Sequence, residues 1–399
     1  MITVTDDSNL YPESDLYGFA ELLTDAERAH LQSLRAVLDS DARPVLNDHW
    51  ERAETPIHLR DALARLDIVN PADIAGADGE PRELYIGFRN FELSRTDASV
   101  AVLYNGQAGM FRTLIRQGGS AEQRERWSGA VGSFEMTGCF AMTEPLHGSD
   151  VAGGLETSAR RVGDTWTLNG EKRWIGNAEF SDYVVVAARD EADNQVKGFL
   201  ARTDDPGMSM ETITGKTSLR MVRNSHITLR DVIVPEEYRL QRIDSFADFG
   251  RIFATLRPDA AWNAAGIQAG AYEAALAYTL QREQFGRPIA GFQLVQEKLA
   301  RMAGNLTASL GMLVRLAQIR DDGVRLERDA ALAKGWICDR MRETVALARE
   351  VVGGNGILLE HDVARFFCDA EAFYTFEGTR EINSLIVGRA LTGLSAFTR

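Results

Sequence analysis

The sequence predicts an α+β protein that is mainly α-helical, in which a β-rich middle segment separates two helical regions. Three observations support this prediction: helical periodicity in the first third of the chain, short β-rich runs punctuated by turn residues in the middle, and long helical repeats towards the C-terminus. We therefore expect an N-terminal α-helical domain over residues 1–137, a middle β domain over 138–247 and a C-terminal helical bundle over 248–399. A chain of 399 residues, 45% hydrophobic and 26% charged, is long enough for three such domains.

The first region contains amphipathic stretches separated by helix breakers. Apolar residues recur three and four positions apart in the stretches DAERAHLQSLRAVLDSDARPVL and ASVAVLYNGQAGMFRTLIRQ. Between them lies NPADIAGADGEPRE, where Pro and Gly interrupt the pattern. These features predict several helices of ordinary length.

The middle region changes character near Thr137. Short runs rich in β-branched and aromatic residues follow, namely GCFAMTE, TWTLNGEKRWI, DYVVVAAR, KGFLART and SHITLRDVIVP. Gly, Asp, Asn and Pro turns separate these runs, which is typical of an antiparallel sheet, barrel or sandwich.

The last region carries the longest periodic segments, over residues 258–284, 289–320 and 326–351. In the second segment, apolar side chains recur at Phe292, Val295 and Leu299 with few helix breakers. Helices of this length predict a bundle of long antiparallel helices.

Composition excludes several classes of function. The net charge of −14 argues against nucleic acid and against an anionic membrane as partners. Cys139, Cys338 and Cys368 are widely spaced, which indicates neither a disulfide framework nor a zinc site, and no metal is expected. The acidic N-terminus is not typical of a signal or transit peptide, and no segment has the length of a membrane span, so we expect a cytoplasmic location. No Gly-x-Gly-x-x-Gly follows a predicted strand, which argues against a Rossmann-type dinucleotide site.

A carboxylate near the C-terminus is the first candidate catalytic residue. Glu377 lies between aromatic residues and a turn at Gly378 and Thr379, directly before an apolar helical repeat. Aromatic neighbours exclude water and raise the pKa of a carboxyl, and a turn fixes its direction, so Glu377 suits a general base. The positive end of the following helix acts in the opposite direction, because it favours the anion. Taken alone, the segment also fits an ordinary helix start.

Three further segments suit a flat, phosphorylated ligand. In Phe140–Asp150, the Thr143 hydroxyl can line a polar ring, and the Gly-Ser-Asp turn presents backbone donors to an anion; an ordinary strand and turn also fit. In Lys172–Asn177, Trp174 can cover an aromatic ligand or fill a sheet core. In Arg282–Pro288, between two predicted helices, two arginines suit a diphosphate, although arginines at helix ends are commonly solvated.

The ordered combination of these motifs resembles the acyl-CoA dehydrogenase family. The motifs are Thr-Glu-Pro-x-x-Gly-Ser-Asp from Thr143, Lys-x-Trp-Ile-x-Asn from Lys172, Arg-x-x-Phe-Gly-x-Pro from Arg282, Gly-Gly-Asn-Gly from Gly353 and Glu-Gly-Thr from Glu377. The resemblance extends from about residue 83 to the C-terminus, and it is strongest to the branch of glutaryl-CoA dehydrogenases and plant short-chain acyl-CoA oxidases. It implies an acyl-CoA dehydrogenase-like fold whose C-terminal domain is a four-helix bundle.

The resemblance also implies a chemistry and its residues. It implies FAD as cofactor, a short- or medium-chain acyl-CoA as substrate, electron-transfer flavoprotein as acceptor, and a homotetramer whose subunits share each FAD site. Glu377 corresponds to the base that removes the α proton while a hydride leaves the β carbon for the flavin. The residues implied to bind FAD are Phe140, Met142, Thr143, Ser149, Trp174, Ile175, Gly176, Arg282, Phe285, Gln293, Glu350, Gly353, Gly354, Thr379 and Glu381. The residues implied to bind the substrate are Ser149, Arg257 and Gly378.

Two positions depart from the family pattern. Gly176 stands where many members carry a Thr or Ser that contacts the flavin, and the oxidase-like relatives share the glycine. Direct reaction with oxygen is therefore an alternative to dehydrogenase chemistry, although a glycine also lets the backbone approach the flavin. Ala101 stands where the glutaryl-specific branch uses an arginine, so a dicarboxylic acyl group would leave its far charge unpaired.

Two further functions compete on the same fold. One is a non-catalytic assembly protein, and the other is a flavin monooxygenase acting on a small amine or nitrogen-containing sugar. Both would tend to lose the catalytic base, and Glu377 is present.

Overall fold

The computed structural model describes residues 9–77 and 79–396, so the N-terminal segment considered above begins outside the described residues. It confirms the predicted fold class: a helical region, a central curled sheet and a second helical region follow one another. The helices of the first region are α1 Asp25–Val37, α2 Leu46–Arg52, α3 His58–Ala64, α4 Glu83–Thr96, α5 Ala98–Asn105, α6 Arg112–Gly118 and α7 Ala121–Gly132. The division at residues 137 and 247 stays a prediction.

The start of α1 shows how local sequence defines these helices. The Thr24 hydroxyl accepts a hydrogen bond from the Glu27 backbone N–H, and the Glu27 carboxylate accepts one from the Thr24 N–H. This capping box satisfies backbone donors that the first helical turn leaves free.

The middle region is one seven-stranded sheet with β5 attached at β4. Its strands are β1 Gly138–Ala141, β2 Ser158–Val162, β3 Thr165–Gly176, β4 Tyr183–Asp190, β5 Val196–Arg202, β6 Met208–Thr212 and β7 Asn224–Pro235, with the short helix α8 Val151–Gly154 after β1. The main path runs β1-β4-β2-β3-β7-β6. The strands β2–β3, β3–β7, β4–β5 and β6–β7 pair antiparallel as expected.

Two pairings correct the prediction of a purely antiparallel sheet. The strand β4 pairs in parallel with both β1 and β2. A parallel pair needs a long crossover connection, here the chain that passes through β2 and β3 before it returns in β4. Turn residues reveal hairpins between neighbouring strands but carry no signal for such distant pairing.

The last region contains three long helices and two shorter ones. They are α9 Phe246–Gln281, α10 Gln293–Asp321, α11 Glu327–Val352, α12 Val363–Thr375 and α13 Arg380–Thr392. The helix α11 packs against all four others. Two shorter helices, α12 and α13, thus stand in place of the fourth helix of the predicted bundle, and Glu377 lies in the turn between them.

The first long helix begins at Phe246, earlier than the predicted residue 258. Pro258 therefore lies inside the helix and not at its start. A proline removes the N–H that would donate to the carbonyl four residues before it. That carbonyl belongs to Ala254, and it accepts a hydrogen bond from Nη1 of Arg320 in α10 at 3.2 Å. The helix continues through Pro258 because a neighbouring side chain replaces the missing donor.

Close packing joins the first and last regions. A Cβ built on Gly266 of α9 would lie 2.4 Å from the Phe91 carbonyl oxygen of α4, so only glycine allows this approach. Among the described helices, none combines the length and apolar character that crossing a bilayer requires.

Candidate active site

The turn between α12 and α13 holds its central residues in an unusual backbone conformation. Glu377 has φ 55° and Gly378 has φ 82°, both in the left-handed region. For a residue other than glycine this conformation costs about 1–3 kcal/mol and persists only where the surroundings enforce it. Thr379 then caps α13, since its Oγ1 accepts a hydrogen bond from the Ile382 N–H at 3.2 Å. The conformation aims the Glu377 side chain at the expense of local stability.

Two side chains hold this turn. Lys334 of α11 has no exposed surface, and its Nζ donates to the carbonyl oxygens of Gly378 at 2.8 Å and Tyr374 at 3.2 Å. Asn383 of α13 is also fully buried and donates through Nδ2 to Gly378 O at 2.8 Å and Thr379 O at 3.0 Å. Neither residue is among the site residues predicted from the sequence.

The electrostatic surroundings of Glu377 suit a base. Burial raises the pKa of the Glu377 carboxyl, and the nearby positive charges of Arg257 and Lys334 only partly oppose this, so the net pKa lies above its usual value. The carboxyl makes no hydrogen bond or ion pair within the part of the chain that the structure describes. Arg257 is buried, and its Nη1 lies 2.7 Å from Oε1 of Glu327. Glu377 is therefore a poorly solvated carboxyl without a fixed partner.

The two predicted segments of the β region are joined by a buried ion pair. The Arg173 N–H donates to Thr143 O at 2.8 Å. Beside this bond, Nζ of Lys172 lies 2.8 Å from Oε1 of Glu144 and donates to Met142 O at 3.0 Å. Burial lowers the pKa of Lys172 to about 8 despite its acidic partner. Lys172 and Glu144 are not among the site residues predicted from the sequence, yet they hold the Thr143 and Trp174 segments together.

Trp174 projects from the sheet. The pairing of β3 with β7 is irregular between Lys172 and Ile175, and Trp174 between them has φ 67°. A bulge of this kind reorients a side chain, and here 52% of Trp174 is exposed. Trp174 therefore does not fill the sheet core. Its exposed indole forms a surface that can cover a flat ligand. Ile175 points the other way and is buried.

The remaining flavin-side residues flank this surface. Phe140 in β1 is partly buried and stacks on Phe249 of α9, with ring centroids 5.7 Å apart. Met142 is buried beside it, whereas Ser149 lies exposed in the loop before α8. At Gly176, a built Cβ would meet nothing closer than Val222 Cγ1 at 3.5 Å, so the protein itself leaves room for a side chain there.

A hydrogen-bonded path links the Trp174 surface to α12, the helix that ends directly before the Glu377 turn. Nδ2 of Asn224 donates to Trp174 O at 3.3 Å, and Oδ1 of Asn224 accepts from Lys216 Nζ at 2.7 Å. Lys216 Nζ also donates to Leu219 O at 2.9 Å, and the Leu219 N–H donates to Oδ1 of Asp369 in α12 at 2.7 Å. The loop between β6 and β7 thus fixes α12, which precedes the Glu377 turn, relative to the sheet.

Other predicted residues gather at the far end of the bundle. Arg282, Phe285 and Gln293 lie at the connection between α9 and α10 and are exposed. Glu283–Gln284 and Arg287–Pro288 form a two-residue hairpin, whose turn residues Phe285 and Gly286 have φ 54° and 76°. Phe285 at its tip is 93% exposed. A projecting aromatic side chain of this kind is typical of a contact with another molecule.

The Gly-Gly-Asn-Gly segment lies near the same end. Nδ2 of Asn355 donates to the Tyr278 hydroxyl at 3.0 Å, which places the segment beside the last turn of α9. Gly353 has φ 67°, whereas Gly354 and Glu350 are exposed, and Glu350 lies 3.4 Å from Lys298 Nζ. Glu381 lies apart from this group, exposed in the first turn of α13, where bonding to its own backbone N–H and to Thr379 lowers its pKa.

Within one chain, the predicted residues near Glu377 lie far from those at the connection between α9 and α10. Arg257, whose charge acts on Glu377, and Gln281 at the end of α9 are about 24 residues apart, which is about 36 Å along a helix. This separation exceeds the reach of a single dinucleotide.

Comparison with known proteins agrees with this architecture. Family models match three consecutive parts of the chain: the acyl-CoA dehydrogenase N-terminal domain over residues 24–135, the middle domain over 139–232 and the C-terminal domain over 246–392. Cyclohex-1-ene-1-carbonyl-CoA dehydrogenase of Geobacter metallireducens is 31% identical over 92% of this chain and 98% of its own. The CarC subunit of the caffeyl-CoA reductase-Etf complex of Acetobacterium woodii is 28% identical over 87% of this chain and 93% of its own.

Solved structures show the same similarity. A glutaryl-CoA dehydrogenase from Mycobacterium smegmatis matches with a TM-score of 0.91 and 34% identity, covering 97% of this chain and 99% of its own. A glutaryl-CoA dehydrogenase from the same organism in complex with FADH2 matches with a TM-score of 0.91 and 30% identity, covering 97% and 100%. On these matches, the chain belongs to the acyl-CoA dehydrogenase family.

Proposed function

We propose that the protein desaturates a short- or medium-chain acyl-CoA thioester between its α and β carbons, with Glu377 as the base. The observation that carries the proposal is the environment of Glu377: a strained turn, a raised pKa and a carboxyl without a fixed partner. Removing an α proton from a thioester requires a carboxylate whose pKa has been brought towards that of the carbon acid. Desolvation of Glu377 acts in this direction.

The residues fit an FAD cofactor, as the FADH2 complex of a related dehydrogenase supports. Trp174 presents a half-exposed indole beside the Phe140–Thr143 segment, so a flat ring has an apolar face to cover. Phe140, Met142, Thr143, Ile175 and Gly176 would hold the flavin, with Ser149, Thr379 and Glu381 at its edges. Bound FAD supplies the acceptor for the two electrons that leave the substrate.

Residues of a second copy would complete the cofactor site. Arg282, Phe285, Gln293, Glu350, Gly353 and Gly354 lie too far from Glu377 to reach the same FAD within one chain. Their exposure at the bundle end suits a dinucleotide held by a neighbouring subunit. We therefore propose a homotetramer that shares each FAD site between subunits.

The substrate is proposed to lie between the sheet and the Glu377 turn. Ser149 would contact the CoA portion, and Gly378 would lie beside the reacting thioester carbon. The backbone N–H of Glu377 would donate to the thioester oxygen and stabilise charge that develops there. Arg257 is buried beside Glu377, where its cation limits the pKa rise of the base. Lys334 fixes the direction of two carbonyl groups at this turn, those of Tyr374 and Gly378, by donating to them.

A dicarboxylic substrate is disfavoured, although glutaryl-CoA dehydrogenases are among the similar structures. Ala101 has no exposed surface and packs in an apolar cluster with Leu93 and Tyr104. The far carboxylate of a glutaryl group would find no arginine at this position, and an unpaired buried charge is costly. We expect lower activity with glutaryl-CoA than with butyryl-CoA.

Electron-transfer flavoprotein is the proposed acceptor, supported by the related subunit whose name places it in an Etf complex. The alternative is an oxidase that reduces oxygen, which the open space at Gly176 supports. Peroxide formed at the rate of turnover would establish the oxidase instead.

The decisive experiment is anaerobic addition of acyl-CoAs to the purified protein. We expect a yellow protein whose flavin absorbance is bleached by butyryl-CoA, with formation of the enoyl-CoA. A colourless protein would favour a non-catalytic assembly role. A yellow protein bleached by no acyl-CoA, but active in amine oxygenation, would favour a monooxygenase.

A further inference from the structure

A second carboxyl, partly buried, lies close to the proposed reaction site. Asp259 is on α9, and its carboxyl makes no hydrogen bond or ion pair to any residue that the structure describes. Burial raises its pKa to about 7, and Glu377 is among the charges that act on it. An unpaired acid in the interior is costly to stability and is found chiefly where a site uses it. Asp259 is not among the site residues predicted from the sequence.

One segment of the chain connects Asp259 with the region proposed to bind the flavin. The segment Gly106–Phe111, which follows α5, touches the flavin side at one end: a Cβ on Gly106 would lie 2.4 Å from Nδ2 of Asn177, the residue after Gly176. At Gly109 the same segment faces Asp259, whose Oδ2 lies 3.5 Å from a Cβ built there. One segment thus meets Asn177 at one end and Asp259 at the other, and Glu377 is among the charges that act on Asp259.

Amide groups accompany this carboxyl. Oδ1 of Asn105 lies 3.9 Å from the Cβ built on Gly109. This oxygen is buried and has no hydrogen-bond partner among the described residues. Nδ2 of Asn105 lies 3.5 Å from Oδ1 of Asn263, one helical turn beyond Asp259. The absence of a side chain at Gly109 leaves Asp259 and Asn105 facing one space with unused hydrogen-bonding capacity.

The charges around this space select the ligand. Among the charges that act on Asp259, the cation of Arg89 in α4 has the largest effect, so an ammonium group would meet an already compensated carboxylate. A substrate carboxylate would be repelled by Asp259 itself. A neutral hydroxyl satisfies both groups, because it accepts from the protonated Asp259 carboxyl and donates to Oδ1 of Asn105.

We propose that Asp259 and Asn105 recognise a hydroxyl group on the acyl chain, so that the protein prefers hydroxyacyl-CoA thioesters over unsubstituted ones. The inference rests on the proposed function, since it identifies the substrate class of the same site. A site built to hydrogen-bond a substrate hydroxyl rejects the analogue that lacks it, because its polar groups are then left unpaired.

The test compares matched pairs of thioesters: 4-hydroxybutyryl-CoA with butyryl-CoA, 5-hydroxypentanoyl-CoA with pentanoyl-CoA, and 6-hydroxyhexanoyl-CoA with hexanoyl-CoA. Two readouts are taken with the FAD-loaded protein, namely kcat/KM and the Kd from calorimetry with Glu377→Gln. We expect at least one hydroxylated member to exceed its partner by about 10-fold or more in both. In Asp259→Val this preference is expected to disappear.

Two results would overturn the inference. One is a wild-type protein that favours the unsubstituted member of every pair, and the other is an Asp259→Val protein that keeps the wild-type ratio. Failure of the proposed function has a different signature. In that case no thioester bleaches the flavin, while the calorimetric ratios still report whether the hydroxyl is recognised.

Discussion

Lys334 offers a sharp test of how the fold controls the proposed base. Its Nζ donates to Gly378 O at 2.8 Å and to Tyr374 O at 3.2 Å, and its charge lowers the pKa of Glu377. In Lys334→Met the apolar stem is kept and both hydrogen bonds are lost. Bonds to a charged group contribute about 1.5–3 kcal/mol each, so we expect the protein to lose about 3 kcal/mol of stability or more.

The same substitution has a second, electrostatic consequence. Lys334 and Arg257 are the two cations that oppose the pKa rise of Glu377. Without Lys334, the pKa of Glu377 rises further, and the carboxylate required for proton abstraction forms only at higher pH. The acidic limb of the kcat/KM profile should therefore move to higher pH. The assay is the pH dependence of anaerobic flavin bleaching by butyryl-CoA, measured by stopped flow.

Two control variants separate charge from geometry. Asn383→Ala removes the uncharged donor to Gly378 O, so it should lower the bleaching rate and leave the acidic limb in place. Lys197→Met removes a partly buried lysine from the remote sheet, where it pairs with Asp190 and Asp193, so it should cost stability alone. An unshifted pH profile in Lys334→Met would refute the proposed electrostatic role.

Three further outcomes are expected. Gly176→Thr should fold normally, because a built Cβ meets nothing closer than 3.5 Å, and should slow aerobic reoxidation of the reduced protein; an unchanged peroxide rate would contradict this. Phe285→Ser should weaken subunit association by about 30-fold or more in sedimentation experiments and should lower FAD retention. Unchanged association would show that the exposed ring has no partner subunit. Asp259→Asn should raise the free energy of unfolding at pH 8 by up to about 4 kcal/mol and leave it unchanged at pH 4. The sign follows from the raised pKa of Asp259. Below about pH 4 the carboxyl is protonated in both the folded and the unfolded chain, whereas up to about pH 7 only the unfolded chain loses this proton, which destabilises the folded protein. Equal effects of the substitution at both pH values would argue against this explanation.

The long helices and the order of regions followed from periodicity because they depend on residues close in sequence. The helix through Pro258 was not predicted, since its continuation depends on Arg320 in a different helix. The parallel pairing of β4 with β1 and β2 was missed for the same reason. Contacts between distant segments leave little trace in a local pattern.

The site shows the same division. Glu377 and Trp174 belong to motifs that can be recognised along the chain, and their roles stay predictions. Lys334 acts on a turn 44 residues away, so its role depends on the fold. A signal was nevertheless present: Ala330, Ile337 and Cys338, which share its helix face, are all buried and apolar. A lysine on the apolar face of a helix indicates a buried charge with a specific partner.

The most direct test of the central claim is the rate of anaerobic flavin bleaching in Glu377→Gln compared with the wild-type protein. The substitution keeps the shape of the side chain and the left-handed turn, so FAD binding should be retained. We expect bleaching by butyryl-CoA to slow by at least about 10²- to 10⁴-fold, the scale of a positioned acid–base group. A Glu377→Gln protein that binds FAD and bleaches at the wild-type rate would contradict the assignment of Glu377 as the base.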